Sequence, residues 1–175
     1  IEKEPFLGGL AASFCCKASY VCHKCFACVV DKRIKEVQSR ANISLGTQTE
    51  LADINGFPSS YQATLSTLGK KKQIDVAAFV IAAGIDPYEA EKKGEYGYRQ
   101  FQNVLTVRDL EAMLRTEDGL NRPSDHGIPE NIAFLQCVGS RDRAAGNLYC
   151  SEVCCAYALR LIKLIRHKYP HIALT

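Results

Sequence analysis

Asn131-Ile-Ala-Phe-Leu-Gln-Cys137-Val-Gly-Ser-Arg-Asp142, followed by Tyr149-Cys-Ser-Glu-Val-Cys-Cys-Ala-Tyr157, is the stretch on which the fold turns. The apolar run Ile132-Ala133-Phe134-Leu135 predicts a buried strand over 131–138. Ser151–His167 reads as one long amphipathic helix, with Val153, Leu161, Leu164 and Ile165 inward and Arg160, Lys163, Arg166 and Lys168 outward. The basic residues gather toward its C-terminal end, where they suit the helix dipole. Pro170 stops the helix, and His171–Thr175 opens another strand. Strand, helix and strand in that order predict an α/β architecture.

The chemistry of the same stretch is carried by thiols. Cys137 directly follows the strand, Cys150 stands just before the helix, and Cys154 and Cys155 lie in its first turn, Cys154 one helical turn from Cys150. Four thiolates can therefore converge at a strand end and a helix N-terminus, where N–H groups and the dipole favour negative charge. Four cysteines complete a [4Fe–4S] centre. A zinc or other thiolate site and a set of buried thiols are the competing readings, although adjacent cysteines are unusual for structural zinc. Gly139-Ser140-Arg141-Asp142 reads either as a phosphate or cluster loop or as a plain turn.

Nine cysteines in 175 residues fall in two groups with none between residues 28 and 137. In the N-terminal group, Cys22-His-Lys-Cys25-Phe-Ala-Cys28 has the spacing of the first three ligands of a ferredoxin-type run. Lys32 stands where the fourth cysteine would come, so Cys15 or Cys16 is the candidate to complete the set, with His23 a weaker one. A second cluster, zinc, and redox-active or structural thiols all remain open for this group. His126, His167 and His171 are scattered, and no Ser/His/Asp arrangement stands out.

Between the two groups, Val29, Val30, Ile34 and Val37 recur at helical spacing and predict a short helix. Residues 43–76 read as a small antiparallel meander with strands at 42–45, 47–54 and 61–65, a turn at Asn55-Gly56 and a charged turn at Gly69–Lys72. The apolar run Ile74–Ala83, ended by Gly84, has the pattern of a strand buried on both faces. Residues 85–103 read as a surface loop, Thr106–Leu114 as a helix capped by Thr106, and 115–130 as an irregular connection. The chain thus divides into 1–84, 85–130 and 131–175. At 47% hydrophobic and 23% charged it has the composition of a soluble globular protein, and no apolar run reaches the roughly 18 residues of a membrane span. A net charge of +3, from 22 basic and 19 acidic residues, is too slight and too dispersed to argue for a nucleic-acid partner, and none is expected. With no signal peptide before Ile1 the cysteines are expected to be reduced, intracellular and metal-binding. The missing initiator Met suggests a piece of a longer polypeptide.

Phe134-Leu-Gln-Cys-Val-Gly-Ser-Arg-Asp142 and Asn147-Leu-Tyr-Cys-Ser-Glu-Val-Cys-Cys-Ala-Tyr157 resemble the signature of the heterodisulfide reductase A-subunit family, iron–sulfur flavoproteins that include quinone-interacting oxidoreductase subunits. Gly94-Glu-Tyr-Gly-Tyr98, Asn103-Val-Leu-Thr106 and Arg122-Pro-Ser-Asp125 resemble the same family's pattern upstream. The resemblance implies that Cys137, Cys150, Cys154 and Cys155 ligate a [4Fe–4S] cluster close to a flavin. Ile1-Glu-Lys-Glu-Pro-Phe-Leu-Gly-Gly9 is similar to the end of the second strand of a Rossmann-like FAD-binding domain. That similarity gives Glu2 the adenosine ribose and lets Gly8 and Gly9 approach the cofactor. Val80-Ile-Ala-Ala-Gly84 resembles the strand passing beneath FAD, with Ala83 in place of the usual Thr before Gly84. No G-x-G-x-x-G occurs in the chain and no ferredoxin-like insert lies between Leu65 and Ile74, which favours the compact branch and weak or absent FAD binding by this chain alone. Cys25 and Cys28 align with a paired-cysteine segment of the family, whereas Cys15, Cys16 and Cys22 are extra.

The fold implied is α/β: a partial FAD-binding Rossmann-like domain, a small antiparallel meander and a Cys-rich iron–sulfur segment. The function implied is that of a cytoplasmic electron-transfer oxidoreductase subunit, passing electrons between FAD and one or two [4Fe–4S] clusters. Its metal ligands would be Cys137, Cys150, Cys154 and Cys155, and in the N-terminal group Cys16, Cys22, Cys25 and Cys28. Its partners would be the other subunits of a heterodisulfide reductase-like or quinone-linked complex. The rival is a non-catalytic interaction domain stapled by zinc or a cluster. A thiol-redox protein using Cys15-Cys16 or Cys154-Cys155 is disfavoured, because adjacent cysteines form strained disulfides.

Overall fold

The computed structural model describes residues 1–15 and 27–175 as a mixture of helices and strands in two compact units. The first unit takes Ile1–Ser13 and residues 27–85, and the second takes residues 14–15 and 86–175.

In the first unit, residues 2–4 run beside 46–49: Glu2 N–H donates to Gly46 O at 2.8 Å, and Thr49 N–H to Glu2 O at 2.9 Å. The chain then turns through Gly8 and Gly9 into a single helical turn, α1 (Gly9–Ala12). Helix α2 (Ala27–Ser39) contains the expected helical segment. Gly8 has φ 102° and lies so close to α2 that a Cβ would come within 2.9 Å of Ile34 Cδ1. Its lack of a side chain is therefore explained by helix packing.

The meander is present as the antiparallel sheet of β1 (Thr49–Phe57), β2 (Ser60–Thr67) and β3 (Lys70–Val76), in that order. Alternation gives it one apolar face, with Ile54 paired to Ala63 and Ala63 to Ile74, and Tyr61 to Val76. The opposite face carries Asn55, Gln62 and Asp75. Asn55-Gly56 is not the turn. Both residues lie inside β1, and the chain reverses at Pro58-Ser59, where Pro presets one φ and Ser59 takes φ 71°. Gly56 is needed for a different reason, since a Cβ there would meet Ser60 O at 2.2 Å. The second reversal uses Leu68 and Gly69, both at positive φ, as a two-residue hairpin requires. No strand forms at 42–45, where Ile43 N–H instead closes a turn onto Arg40 O.

The expected buried strand over Ile74–Ala83 is also corrected. Its first residues belong to β3, and residues 77–85 have no regular structure, with Val80 and Ile81 each more than 90% exposed. A strand buried on both faces needs neighbours on each edge and layers above and below. Among the described residues no strand pairs with this segment, and its first residue, Ala77, accepts the Ser59 N–H at 3.1 Å.

The second unit is built around α3 (Val107–Arg115) and α4 (Cys154–Lys168). Thr106 caps α3 in a reciprocal box with Asp109, as its sequence predicts. Leu110 and Leu114 of α3 form a core with Leu161, Leu164 and Ile165 of α4 and with Leu120, Ile172 and Cys15. Leu161 and Ile165 are fully buried, each contributing about 1.5–3 kcal/mol by removal from water. Strands β4 (Asn131–Ile132) and β5 (Ala173–Leu174) pair in parallel, with α4 in the connection between them. The predicted strand–helix–strand unit is therefore present, but shorter than expected. One further ladder bond, Phe134 N–H to Thr175 O at 2.8 Å, extends it, and Leu135 is exposed.

Candidate metal centre

Beyond β4 the chain turns sharply at Cys137, which adopts φ 60°, a left-handed conformation uncommon for any residue but glycine. Gly139, Arg141, Gly146 and Glu152 also take positive φ, so the segment leading to α4 is a succession of tight turns. It is stitched together. Arg141 N–H donates to Tyr149 O at 2.9 Å, and Asp142 and Asn147 exchange backbone bonds of 2.7 and 3.0 Å. These rungs return the chain toward its starting point and carry Cys150 back toward Cys137. Helix α4 begins at Cys154, and its N-cap, Val153, offers no side-chain acceptor. The first N–H groups of the helix are thus left to whatever acceptor lies nearby.

Cys154 and Cys155 influence each other. Cys154 is held below the usual thiol range, first by a hydrogen bond from Ser151, against the opposing effect of burial, and then by Cys155 and the backbone N–H of Cys137. Cys155 is raised, chiefly by its hydrogen bond with Cys154 and the charge there, with Cys137 and Cys150 adding further negative charge. Cys150 Sγ accepts the Glu152 N–H at 3.3 Å. Cys137 and Cys154 are half-buried, and Cys150 and Cys155 exposed. Among the described residues no three such side chains converge closely enough to hold one metal ion. As a donor set, four thiols on one loop and the uncapped helix start that follows it fit the chemistry of a soft, thiophilic centre such as an iron–sulfur cluster.

The N-terminal candidates are placed differently. Cys16, Cys22 and Cys25 lie outside the described residues, as does His23. Cys28 is exposed on the second residue of α2. Cys15 is buried in the core of the second unit, where burial above all, and then Glu111, pushes its thiol up to about 12. Of the residues expected to approach FAD, Glu2 accepts the Glu4 N–H at 3.1 Å, and Ala83 and Gly84 are exposed. A Cβ on Gly9 or Gly84 would meet nothing within 4 Å, so both backbones are open to approach, whereas Gly8 is filled by α2.

Sequence reasoning misses one group altogether. Arg160, expected to face outward, points inward and pairs with Glu111, their side chains only 10% and 3% exposed. Glu111 also accepts the Cys15 N–H, and Arg160 Nη1 donates to Cys15 O at 2.9 Å. The guanidinium carbon lies 4.4 Å from the Phe14 ring centroid and 5.1 Å from that of Tyr157. Burial and the nearby Glu111 carboxylate push the Tyr157 hydroxyl up. The signal is in the spacing. Glu111 falls in the stripe 107, 110, 111, 114, and Arg160 in 157, 160, 161, 164, both otherwise apolar or aromatic.

No family model matches the chain. Among curated proteins, an iron–sulfur A subunit of CoB–CoM heterodisulfide reductase from Methanopyrus kandleri is 46% identical over 100 residues, covering 55% of this chain and 15% of that protein. The corresponding protein of Methanocaldococcus jannaschii is 39% identical over 102 residues, 56% of this chain and 16% of that protein. The A subunit of ferredoxin:CoB–CoM heterodisulfide reductase from Methanosarcina mazei is 36% identical over 107 residues, 59% of this chain and 14% of that protein. The matched stretch of the chain is therefore about a seventh of the length of these relatives. Among the described residues no helix is long and apolar enough to cross a membrane.

Proposed function

We propose that this chain, homologous over more than half its length to part of the heterodisulfide reductase A subunit, works within an electron-transferring oxidoreductase. In this reading Cys137, Cys150, Cys154 and Cys155 hold a [4Fe–4S] cluster that relays single electrons to and from partner subunits in the cytoplasm. The observation that carries it is the stitched loop, whose backbone rungs return the chain from Cys137 to Cys150 just before the uncapped N-terminus of α4, where Cys154 and Cys155 begin the helix. The N–H groups of Glu152, Cys155 and Cys137 stabilise negative charge on sulfur. The ion pair of Lys93 with Asp142 anchors the loop.

FAD is proposed for the parent protein, with Glu2, Gly9, Ala83 and Gly84 contributing part of its site. Retention by this chain alone is expected to be weak or absent, because Ala83 and Gly84 lie on an exposed segment that no strand pairs with among the described residues.

Iron, acid-labile sulfide and zinc per chain, measured on anaerobically purified protein, test the reading. About four irons with matching sulfide are expected from the C-terminal set, or about eight if the N-terminal cysteines bind a second cluster. Cys137→Ala or Cys154→Ala should remove the C-terminal cluster's absorption. Zinc without sulfide, or iron content unchanged in both variants, refutes the assignment.

A further inference from the structure

We propose that Ser140 is a positioning residue, holding Cys150 opposite Cys137 by bracing the peptide groups on both sides of it; this rests on the reading of the four cysteines as cluster ligands. Ser140 Oγ accepts the Ser151 N–H at 2.9 Å and donates to Tyr149 O at 3.2 Å. Those are the peptide groups that flank Cys150. The Tyr149 carbonyl is held a second time by Arg141 N–H at 2.9 Å. One hydroxyl thus pins the chain immediately before and after a thiol that is itself exposed and makes no core contact.

The brace is itself held in place. Asp142 Oδ1 accepts the N–H groups of Ala144 and Ala145 at 2.9 and 3.2 Å, and its other oxygen pairs with Lys93 Nζ at 2.5 Å. Asn147 Nδ2 donates to Gly139 O at 2.8 Å. Gly139 packs against the Tyr88 ring so closely that a Cβ would lie 2.2 Å from its Cγ. Residues 139–142 are therefore clamped from outside the loop, and the Ser140 hydroxyl transmits that fixed position to Cys150. Thirteen positions separate Cys137 from Cys150, and a loop of that length without internal bonds would leave its ends free over a wide range of separations. Preorganisation of the ligand is what the hydroxyl supplies. The hydrophobic core of the unit lies on α3 and α4, away from this contact, so removing the hydroxyl leaves the fold intact.

The test uses the full chain, purified anaerobically, as parent, Ser140→Ala and Ser140→Thr. Iron and sulfide content, the rate of iron loss to a chelator, the electron paramagnetic resonance spectrum after reduction, and far-UV circular dichroism are measured on each. Ser140→Ala is expected to keep its circular dichroism, to lose iron about tenfold faster than the parent, as two lost hydrogen bonds warrant, and to show an altered spectrum. Ser140→Thr, which keeps the hydroxyl, is expected to restore the parent's behaviour. A parent containing cluster and a Ser140→Ala chain with the same spectrum and iron-loss rate overturn the brace alone. So does a Ser140→Ala chain that unfolds, or a Ser140→Thr chain equally impaired. A parent with no iron and sulfide overturns both the brace and the cluster reading beneath it.

Discussion

Replacing Arg160 by Met should be the most damaging single change of a charged side chain in the second unit. Arg160 and Glu111 are both nearly enclosed, so the substitution strands a carboxylate that is 2% exposed. Removing one partner of a buried pair costs about 3–5 kcal/mol. The cation–π contacts with Phe14 and Tyr157 add about 0.5–1 kcal/mol each, partly offset by the packing of the Met side chain. At a urea dependence of about 2 kcal/mol per molar, a loss of about 4 kcal/mol moves the unfolding midpoint down by about 2 M. The double variant Arg160→Met, Glu111→Leu should regain much of this, because an apolar pair of similar volume is often as stable as the ions it replaces. Recovery stays incomplete, since the Cys15 N–H and C=O each lose a partner, at about 1–3 kcal/mol for each group left unsatisfied. Urea titrations followed by circular dichroism on the four chains of the cycle give the coupling energy. An Arg160→Met midpoint within about 0.5 M of the parent, or strictly additive losses in the double variant, refutes the buried pair.

Two further outcomes follow from titrating groups. Burial works to raise Asp109, but hydrogen bonds from the Thr106 side chain and backbone and from Tyr98 outweigh it and hold the carboxyl below its ordinary range. A carboxyl depressed in the folded state stabilises above its unfolded pKa and loses that contribution as pH falls through the folded value. Asp109→Asn should therefore cost about 1 kcal/mol at pH 7 and flatten the acid limb of the stability profile below about pH 4, as measured by thermal melting across pH. Cys15 remains a neutral thiol up to about pH 12, so in native protein freed of metal it should resist iodoacetamide at pH 8 while the exposed Cys28, Cys150 and Cys155 react. Peptide mapping that finds Cys15 alkylated as fast as Cys28 would contradict its place in the core.

What the sequence makes legible is local. Thr106 with Asp109 announces the start of α3, the 3.6-residue period of Leu161, Leu164 and Ile165 marks α4, and alternation marks the meander. The spacing leads one to expect Cys154 one helical turn from Cys150, but α4 starts only at Cys154 and Glu152 takes φ 62°, so residues 150–153 are a turn and the loop, not the helix, sets the position of Cys150. The failures share a different cause. Asn55-Gly56 is a strong turn pair, but the ladder with β2 and the close approach of Ser60 place the reversal three residues later at Pro58-Ser59. Arg160 is expected outside only if its charge outweighs its stripe position. An Arg reaches the interior when an acid on another element, here Glu111, occupies the matching stripe, and that pairing is not visible within either helix.

The exposed run from Ala77 to Ile85 has the same cause, with the sign reversed. Its composition is that of a strand with neighbours on both edges, and Phe79 does pack on Tyr61, with ring centroids 5.2 Å apart. Yet Val80 and Ile81 stand in water, which is unfavourable by about 25 cal/mol for every Å2 of apolar surface left uncovered. Apolar content specifies that a segment is to be buried, but only the presence of its neighbours determines whether it is. In the second unit the corresponding requirement is met, because β4 pairs with β5 and α4 between them is covered by α3, Leu120 and Cys15. That difference explains why the cysteine loop, hung on a strand–helix–strand unit whose helix is covered by α3, takes a defined shape while the segment carrying Ala83 and Gly84 does not form the strand expected of it.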